Sequence, residues 1–338
     1  MALERALAVT GSSGRVIVVT GEAFIPHVAA QAAKLKAAQK KRVVVIGEPV
    51  AKNTAPAIAC AAVFSRFSGQ NRKMLVLTSD HIIKPIDLFL NDAALAVSSA
   101  GDNKLVVFGI TPSHPETGYG YIESGGQLAD NKMQAANKNC VLNVTAFHEK
   151  PDLVTAKKYL AGKKFFWNSG MFAFGTDFVT RQFIEFAPEA FVPFEKLKEP
   201  KNEAYTVSRG VQILNNWAGL KAAYNKAKSI SFDFAIAEKC KEAVMVRASF
   251  GWIDIGNWEE YSRLRENNDS LVFNSGSENC FVDSDIPVAL AGVDGLIVVI
   301  RSGKDGKPAS ALITRKGQTQ KVRDVVEIIK SEGKTELL

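Results

Sequence analysis

Two aspartates are the residues of this chain best placed to do chemistry. Asp254 lies within Ala248-Ser249-Phe250-Gly251-Trp252-Ile253-Asp254-Ile255-Gly256-Asn257-Trp258, between two indoles and near a glycine. An acid among large apolar groups is costly to bury unpaired, so it must be solvated, hydrogen-bonded or holding a cation. Asp80 follows Leu75-Val76-Leu77-Thr78-Ser79 and precedes His81, a pattern that reads as an apolar strand ending in a carboxylate. In open α/β sheets ligands bind beyond the carboxyl ends of strands. Mg²⁺ prefers one or two protein carboxylates plus substrate phosphates, so Asp80 and Asp254 sharing one ion point to phosphate chemistry. Taken singly, each reads equally well as a capping or turn aspartate.

Further segments carry polar groups where a ligand could meet them. In Glu48-Pro49-Val50-Ala51-Lys52-Asn53-Thr54-Ala55-Pro56-Ala57, Asn53 or Thr54 can cap a helix whose first turn holds Pro56. Alternatively, Glu48 accepts from a nucleotide base and the helix start offers N–H groups. Pro115-Glu116-Thr117-Gly118-Tyr119-Gly120-Tyr121-Ile122 is either a tight turn into a strand or a close backbone approach to a ligand at its glycines. Glu149-Lys150-Pro151 closes a strand, with Asp152 as the next helix cap, and Lys150 can meet a phosphate as a point charge or simply be solvated. Trp167-Asn168-Ser169-Gly170-Met171-Phe172 sets a polar knot in an aromatic strand, which calls for a bulge or a ligand, and Asn168 can hold a sugar hydroxyl as both donor and acceptor. Ser231-Phe232-Asp233-Phe234 reads as a helix start capped by Ser231, with Asp233 in the first turn and Glu238 paired to solvent.

The elements that must position these groups alternate. Strands are expected over 15–20, 42–46, 74–78 and 105–109, with Ala-rich helical segments near 22–37, 54–67 and 85–99, as in a doubly wound α/β sheet. Longer strands follow at 139–149 and 164–174 around a helix at 153–161, then helices near 177–186 and 203–227. The first domain is expected to cover 1–266. Residues 267–338 read as a small β-rich domain with Gly, Ser and Asp turns, closed by a charged helix near 320–331, whose default role is packing or oligomer contacts, including homo-oligomer contacts.

Composition bounds the partners. With 46% hydrophobic and 23% charged residues among 338, the chain is globular, and its 42 Lys+Arg against 35 Asp+Glu suit an anionic ligand. Nucleic acid is disfavoured, because the densest basic run, Lys40-Lys41-Arg42, only leads into a strand without interleaved aromatics. Cys60, Cys140, Cys240 and Cys280 show no zinc spacing and read as free buried thiols of a reducing compartment. The first residues carry no signal-peptide pattern and no apolar run is long enough to span a membrane, so the expected location is cytoplasmic.

In their order, E-P-x-x-x-N-T-A-P-A, S-D-H, P-E-T-G-Y-G-Y-I, F-x-E-K-P-D, W-N-S-G-M-F and W-x-D-I-G-N-W resemble the sugar-1-phosphate nucleotidylyltransferases over about residues 1–265. Within that series, N-T-A-P-A and P-E-T-G-Y-G-Y-I resemble the guanylyltransferases of the mannose branch. The resemblance implies a Rossmann-like nucleotidyltransferase domain with a mixed, mainly parallel sheet. It implies GTP and mannose 1-phosphate as substrates, Mg²⁺ on Asp80 and Asp254, and Lys150 on the sugar phosphate. Glu149 and Asn168 would bind mannose hydroxyls and the Gly118 backbone a further one, with Glu48, Asn53 and Thr54 near the nucleotide.

One departure stands against these matches. Family members open with a strand followed by G-G-x-G-T-R-L-x-P-L-S and then P-K, which cradle the triphosphate; this sequence has neither. Gly11-Ser12-Ser13-Gly14-Arg15 precedes a strand, whereas a phosphate loop follows one and opens a helix. The resemblance therefore places Met1 in the first helical region of the usual domain, and implies that residues 1–338 alone give no detectable turnover. A non-catalytic sugar-nucleotide-binding or regulatory subunit of the same fold, or a nucleotidylyltransferase for another sugar 1-phosphate, are the alternative readings.

Overall fold

The structure is a computed structural model that describes residues 2–69, 71–101, 103–127, 141–265, 271–303 and 309–334, and residue 337. Its contacts divide the chain into two units. The first comprises Met1–Ser79 and Ile83–Trp252; the second comprises Asp80–Ile82 and Ile253–Leu338. The division expected near Glu266 thus falls inside the second unit, and Glu266 itself lies outside the described residues.

The first strands in chain order are β1 (Val16–Gly21), β2 (Val43–Glu48), β3 (Lys73–Val76), β4 (His81–Lys84), β5 (Leu105–Ile110) and β6 (Tyr121–Gln127). They are followed by β7 (Val141–His148), β8 (Phe165–Gly175), β9 (Tyr205–Ser208), β10 (Val211–Leu214), β11 (Ala243–Arg247) and β12 (Gly251–Asp254). One sheet of the first unit runs β1-β2-β10-β9, the other β3-β8-β5-β11-β7-β6, and β4 pairs with β12. The expected mixed sheet is present with a smaller parallel share: β1–β2, β2–β10 and β5–β11 are parallel, whereas β8 runs antiparallel to β3, β5 and β6.

Local sequence explains most of these elements. Val43–Ile46 and Leu105–Ile110 are buried throughout, as strands covered on both faces must be. Helix Thr54–Arg66 starts at Asn53, whose Oδ1 accepts from the Thr54 N–H at 2.8 Å, and its apolar length packs against helices Thr176–Phe186 and Pro188–Glu195. Helix Leu153–Ala161 is capped by Asp152, which accepts from the Thr155 N–H at 2.7 Å. Helix Ala2–Val9 buries Leu3 and Leu7 in a cluster with Val16, Val43 and Ala32.

The helix expected over 203–227 is a correction. Only Leu220–Lys226 is α-helical there. Tyr205–Ser208 and Val211–Leu214 instead form an antiparallel hairpin closed by Arg209 and Gly210, both at positive φ (52° and 86°). That backbone is what a two-residue hairpin turn demands, and Gly adopts it without a Cβ penalty.

The second unit contains β13 (Val272–Ser275), β14 (Phe281–Ser284), β15 (Val288–Ala291), β16 (Leu296–Arg301) and β17 (Ser310–Arg315), with a terminal helix Val322–Ser331. β13 pairs with β15, and β14-β16-β17 form a three-stranded sheet. Val282, Val288, Leu290 and Val298 make one small core. The β-rich character and the closing helix agree with the expectation. Cys60 and Cys240 are buried free thiols, Cys280 is only half-buried, and Cys140 lies outside the described residues. Among the described residues no helix is long and apolar enough to cross a membrane.

Candidate functional site

The polar knot in β8 is a bulge. Opposite β5, Val107 pairs with Phe172 but Gly109 pairs with Asn168, so β8 spends extra residues over that stretch. Their polar groups find partners nearby. The buried Ser169 hydroxyl donates to the Phe108 carbonyl at 3.0 Å, and the Gly170 N–H donates to Asn168 Oδ1 at 3.1 Å. Gly170 sits at φ +65°, a conformation that β-branched and bulky residues resist. Bulges re-aim side chains, and this one turns Asn168 into a pocket lined also by Gly120, His148, Glu149, Asp233 and Glu238.

Gly120 is held to the same spot. Its carbonyl accepts from the Asn168 N–H at 2.8 Å, and a Cβ there would stand 2.9 Å from Glu149 Oε2, the movable tip of an exposed side chain. Gly118, expected to offer its backbone to a sugar hydroxyl, donates its N–H to Glu116 Oε1 at 2.7 Å, while Gly120 lines the pocket. Lys150 follows Glu149 at φ +43°, exposed, with Nζ 3.3 Å from Glu149 Oε1.

The sequence reading of Asp233 as a first-turn acid and of Glu238 as a solvent-paired one is incomplete. Ser231 does cap the short helix Phe232–Ala235. Asp233, however, accepts from Asn168 Nδ2 at 2.6 Å and faces the pocket. Burial first, then the Glu149 charge, push its carboxyl above the usual range against the opposing hydrogen bond from Asn168. Glu238, at the exposed mouth, is raised by burial of part of its side chain and by Glu149 and Asp233. No local signal marks either residue; the Asn168 contact spans 65 positions. Asn168 itself has one N–H and one lone pair committed, which leaves one N–H and one lone pair for a ligand.

The segment 48–57 turns mostly inward. Glu48 closes β2 half-buried, with Oε1 shielded from solvent; burial raises its carboxyl, and the Tyr224 hydroxyl opposes that rise. The buried Cys60 thiol nearby is pushed up to about 12, chiefly by burial. Asn53, at φ +69°, is spent on capping. Thr54 Oγ1 accepts from the Phe232 N–H at 2.8 Å, while the Ala55 N–H donates to the Ile230 carbonyl at 3.1 Å. These groups fasten the start of helix Thr54–Arg66 to the segment that carries Asp233.

In the second unit, Asp80 and Asp254 meet at one imidazole. His81 Nε2 lies 3.9 Å from Asp80 Oδ1 and 3.8 Å from Asp254 Oδ1; the His81 side chain is 7% exposed, Asp80 65% and Asp254 27%. Gly256 abuts Asp254: a Cβ at 256 would stand 3.2 Å from its Oδ2. Both carboxylates are reachable by solvent and each lies within 4 Å of the same imidazole nitrogen, and carboxylate oxygens are the donor type that a hard divalent cation takes.

The nucleotidyl transferase family matches residues 8–270. The mannose-1-phosphate guanylyltransferase of Klebsiella pneumoniae is 35% identical over 301 residues, covering 86% of this chain and 59% of that protein. The enzyme of the same name from Salmonella montevideo is 33% identical over 314 residues, covering 90% of this chain and 62% of its own length. The chain thus spans about three fifths of these relatives. The crystal structure of mannose-1-phosphate geranyltransferase from Thermus thermophilus has the same fold, with a TM-score of 0.69 at 22% identity over 94% of this chain and 99% of that one. With its α/β first unit matched almost from end to end, the chain belongs to the nucleotidyl transferase family.

Proposed function

We propose that the chain belongs to a catalyst that transfers a guanylyl group from GTP to α-D-mannose 1-phosphate, giving GDP-mannose and diphosphate, and that the chain supplies its sugar site. The observation that carries this reading is the pocket at the β8 bulge, where Gly120, Glu149 and Asn168 converge beside Lys150. Carboxylate and amide oxygens accept from sugar hydroxyls, and the Lys150 ammonium is the point charge for the sugar phosphate. The names of the relatives supply the guanylyl and mannose parts of the reading.

In the reaction a phosphate oxygen of mannose 1-phosphate attacks the α-phosphorus of GTP in line, and diphosphate leaves. No protein nucleophile is needed, because the difficulty lies in aligning two anions and offsetting their charge. Glu149 and Asn168 hold the hexose, Lys150 neutralises its phosphate, and Glu48, Asn53 and Thr54, committed inward, act toward the nucleotide only by fixing the helix start at residue 54. Asp80 and Asp254 would hold Mg²⁺, which supplies Lewis-acid neutralisation of phosphate charge when bound. We place the reaction in the cytoplasm, a compartment that keeps thiols such as Cys60 and Cys240 reduced.

Calorimetric titration of the chain with mannose 1-phosphate and with glucose 1-phosphate tests the substrate. The mannose compound should bind at least about tenfold more tightly, a difference of about 1.4 kcal/mol. Equal affinities would remove the mannose assignment, and binding of neither would remove the sugar-phosphate reading.

A further inference from the structure

The pocket beside β8 is too acidic to hold a phosphate by itself. Glu149, Asp233 and Glu238 all line it, and the carboxyls of Asp233 and Glu238 are pushed up first by burial and then by the neighbouring acid charges. Such a wall repels an anion and accepts from hydroxyls. The group that organises it is Asn168, whose amide has two donor hydrogens and two acceptor lone pairs. Asp233 Oδ1 takes one hydrogen at 2.6 Å, and the Gly170 N–H takes one lone pair at 3.1 Å. A flipped amide would press oxygen against carboxylate and NH₂ against N–H, so both contacts select a single orientation. Asp233 is itself fixed from behind, since its neighbour Phe232 donates to Thr54 Oγ1 and Ile230 is bonded to both Lys52 and Ala55.

We propose that Asp233 is a positioning residue of the hexose pocket. It holds the Asn168 amide so that the remaining N–H and lone pair meet the uncharged hydroxyl face of a hexose 1-phosphate, while the phosphate lies outside the acidic wall. This inference rests on the sugar-phosphate reading above. It assigns to the N-T-A-P segment a part in sugar binding, because Thr54 anchors the turn on which Asp233 stands.

The test compares the unaltered 338-residue protein with Asp233→Ala and Asp233→Asn, the latter keeping an oxygen that can accept from Asn168. Two quantities are read: the affinity for mannose 1-phosphate by calorimetry, and the Asn168 side-chain NH₂ resonances of the unliganded protein by NMR, assigned with Asn168→Asp. Asp233→Ala should weaken mannose 1-phosphate binding about tenfold and shift the NH₂ pair, with its hydrogen exchange faster by a similar factor. Asp233→Asn should restore both to within about threefold. Unchanged NH₂ resonances in Asp233→Ala, or a loss of affinity that Asp233→Asn does not recover, would overturn the inference. If the unaltered protein bound no mannose 1-phosphate, the sugar-phosphate reading would fall, and the unliganded resonances would still decide whether Asp233 holds Asn168.

Discussion

Thr54 Oγ1 accepts a hydrogen bond from the backbone N–H of Phe232 at 2.8 Å, across 178 positions of sequence. The contact joins the start of a long helix to the turn bearing Asp233. It gives Thr54 a structural task that its place beside a cap does not reveal. Phe232 is fully buried among Phe172, Phe174 and Phe183, so an orphaned N–H beside it would have no water to turn to.

Thr54→Val should therefore cost about 1–3 kcal/mol, the penalty for an unsatisfied donor in such a place. Thr54→Ser, which keeps the hydroxyl, should cost less. Urea denaturation followed by tryptophan fluorescence measures both, and equal losses for the two variants would show that the methyl rather than the hydroxyl matters.

How far the sequence discloses this molecule depends on the range of the interactions involved. The buried β-branched runs of β2 and β5 and the helix capped by Asp152 are legible, because burial on both faces and a cap act within a few residues. The hairpin at 205–214 is not, although its Arg-Gly turn is a local signal; the neighbouring Ala-containing stretch draws the expected helix too far. At the candidate site, Asn168-Ser169-Gly170 announces itself by interrupting an aromatic strand. Asp233 does not, since its short helix is ordinary and its meaning comes only from a partner 65 positions away.

Asp80 and Asp254, gathered on His81, should bind a divalent cation together. Mn²⁺, a paramagnetic stand-in for Mg²⁺, reads this by electron paramagnetic resonance without any need for turnover. Asp80→Asn and Asp254→Asn should each weaken Mn²⁺ binding about tenfold or more in the presence of GTP, and the double variant should add little beyond the weaker single one. Independent small effects at the two positions would mean that they do not share an ion.

The second unit has its own acid-sensitive joint. Asp283 accepts from Arg265 and Arg301, each at 2.8 Å, and from the Tyr261 hydroxyl. Burial pushes its carboxyl up, but the hydrogen bonds of Arg301 and Tyr261 and the charges of Arg301 and Arg265 outweigh this and hold it below the ordinary range. A carboxyl depressed on folding adds stability above its unfolded value and loses that contribution as pH falls through the folded one. Below about pH 4, the unfolded Asp range, thermal stability of the unaltered protein should decline more steeply than that of Asp283→Asn. At neutral pH the variant should be the less stable of the two. Parallel pH profiles would show that Asp283 carries no such linkage.

If the bulge in β8 builds a mannose site, Asn168 must matter to the sugar phosphate and not to the nucleotide. The most direct measurement is equilibrium binding of mannose 1-phosphate and of GTP, each alone, to the unaltered protein and to Asn168→Ala. Removing Asn168 deletes a hydroxyl partner at the sugar and leaves the nucleotide side intact. Mannose 1-phosphate affinity should fall about tenfold while GTP affinity stays within about twofold. Equal loss for both ligands, or no loss for the sugar phosphate, would contradict a mannose site at the bulge.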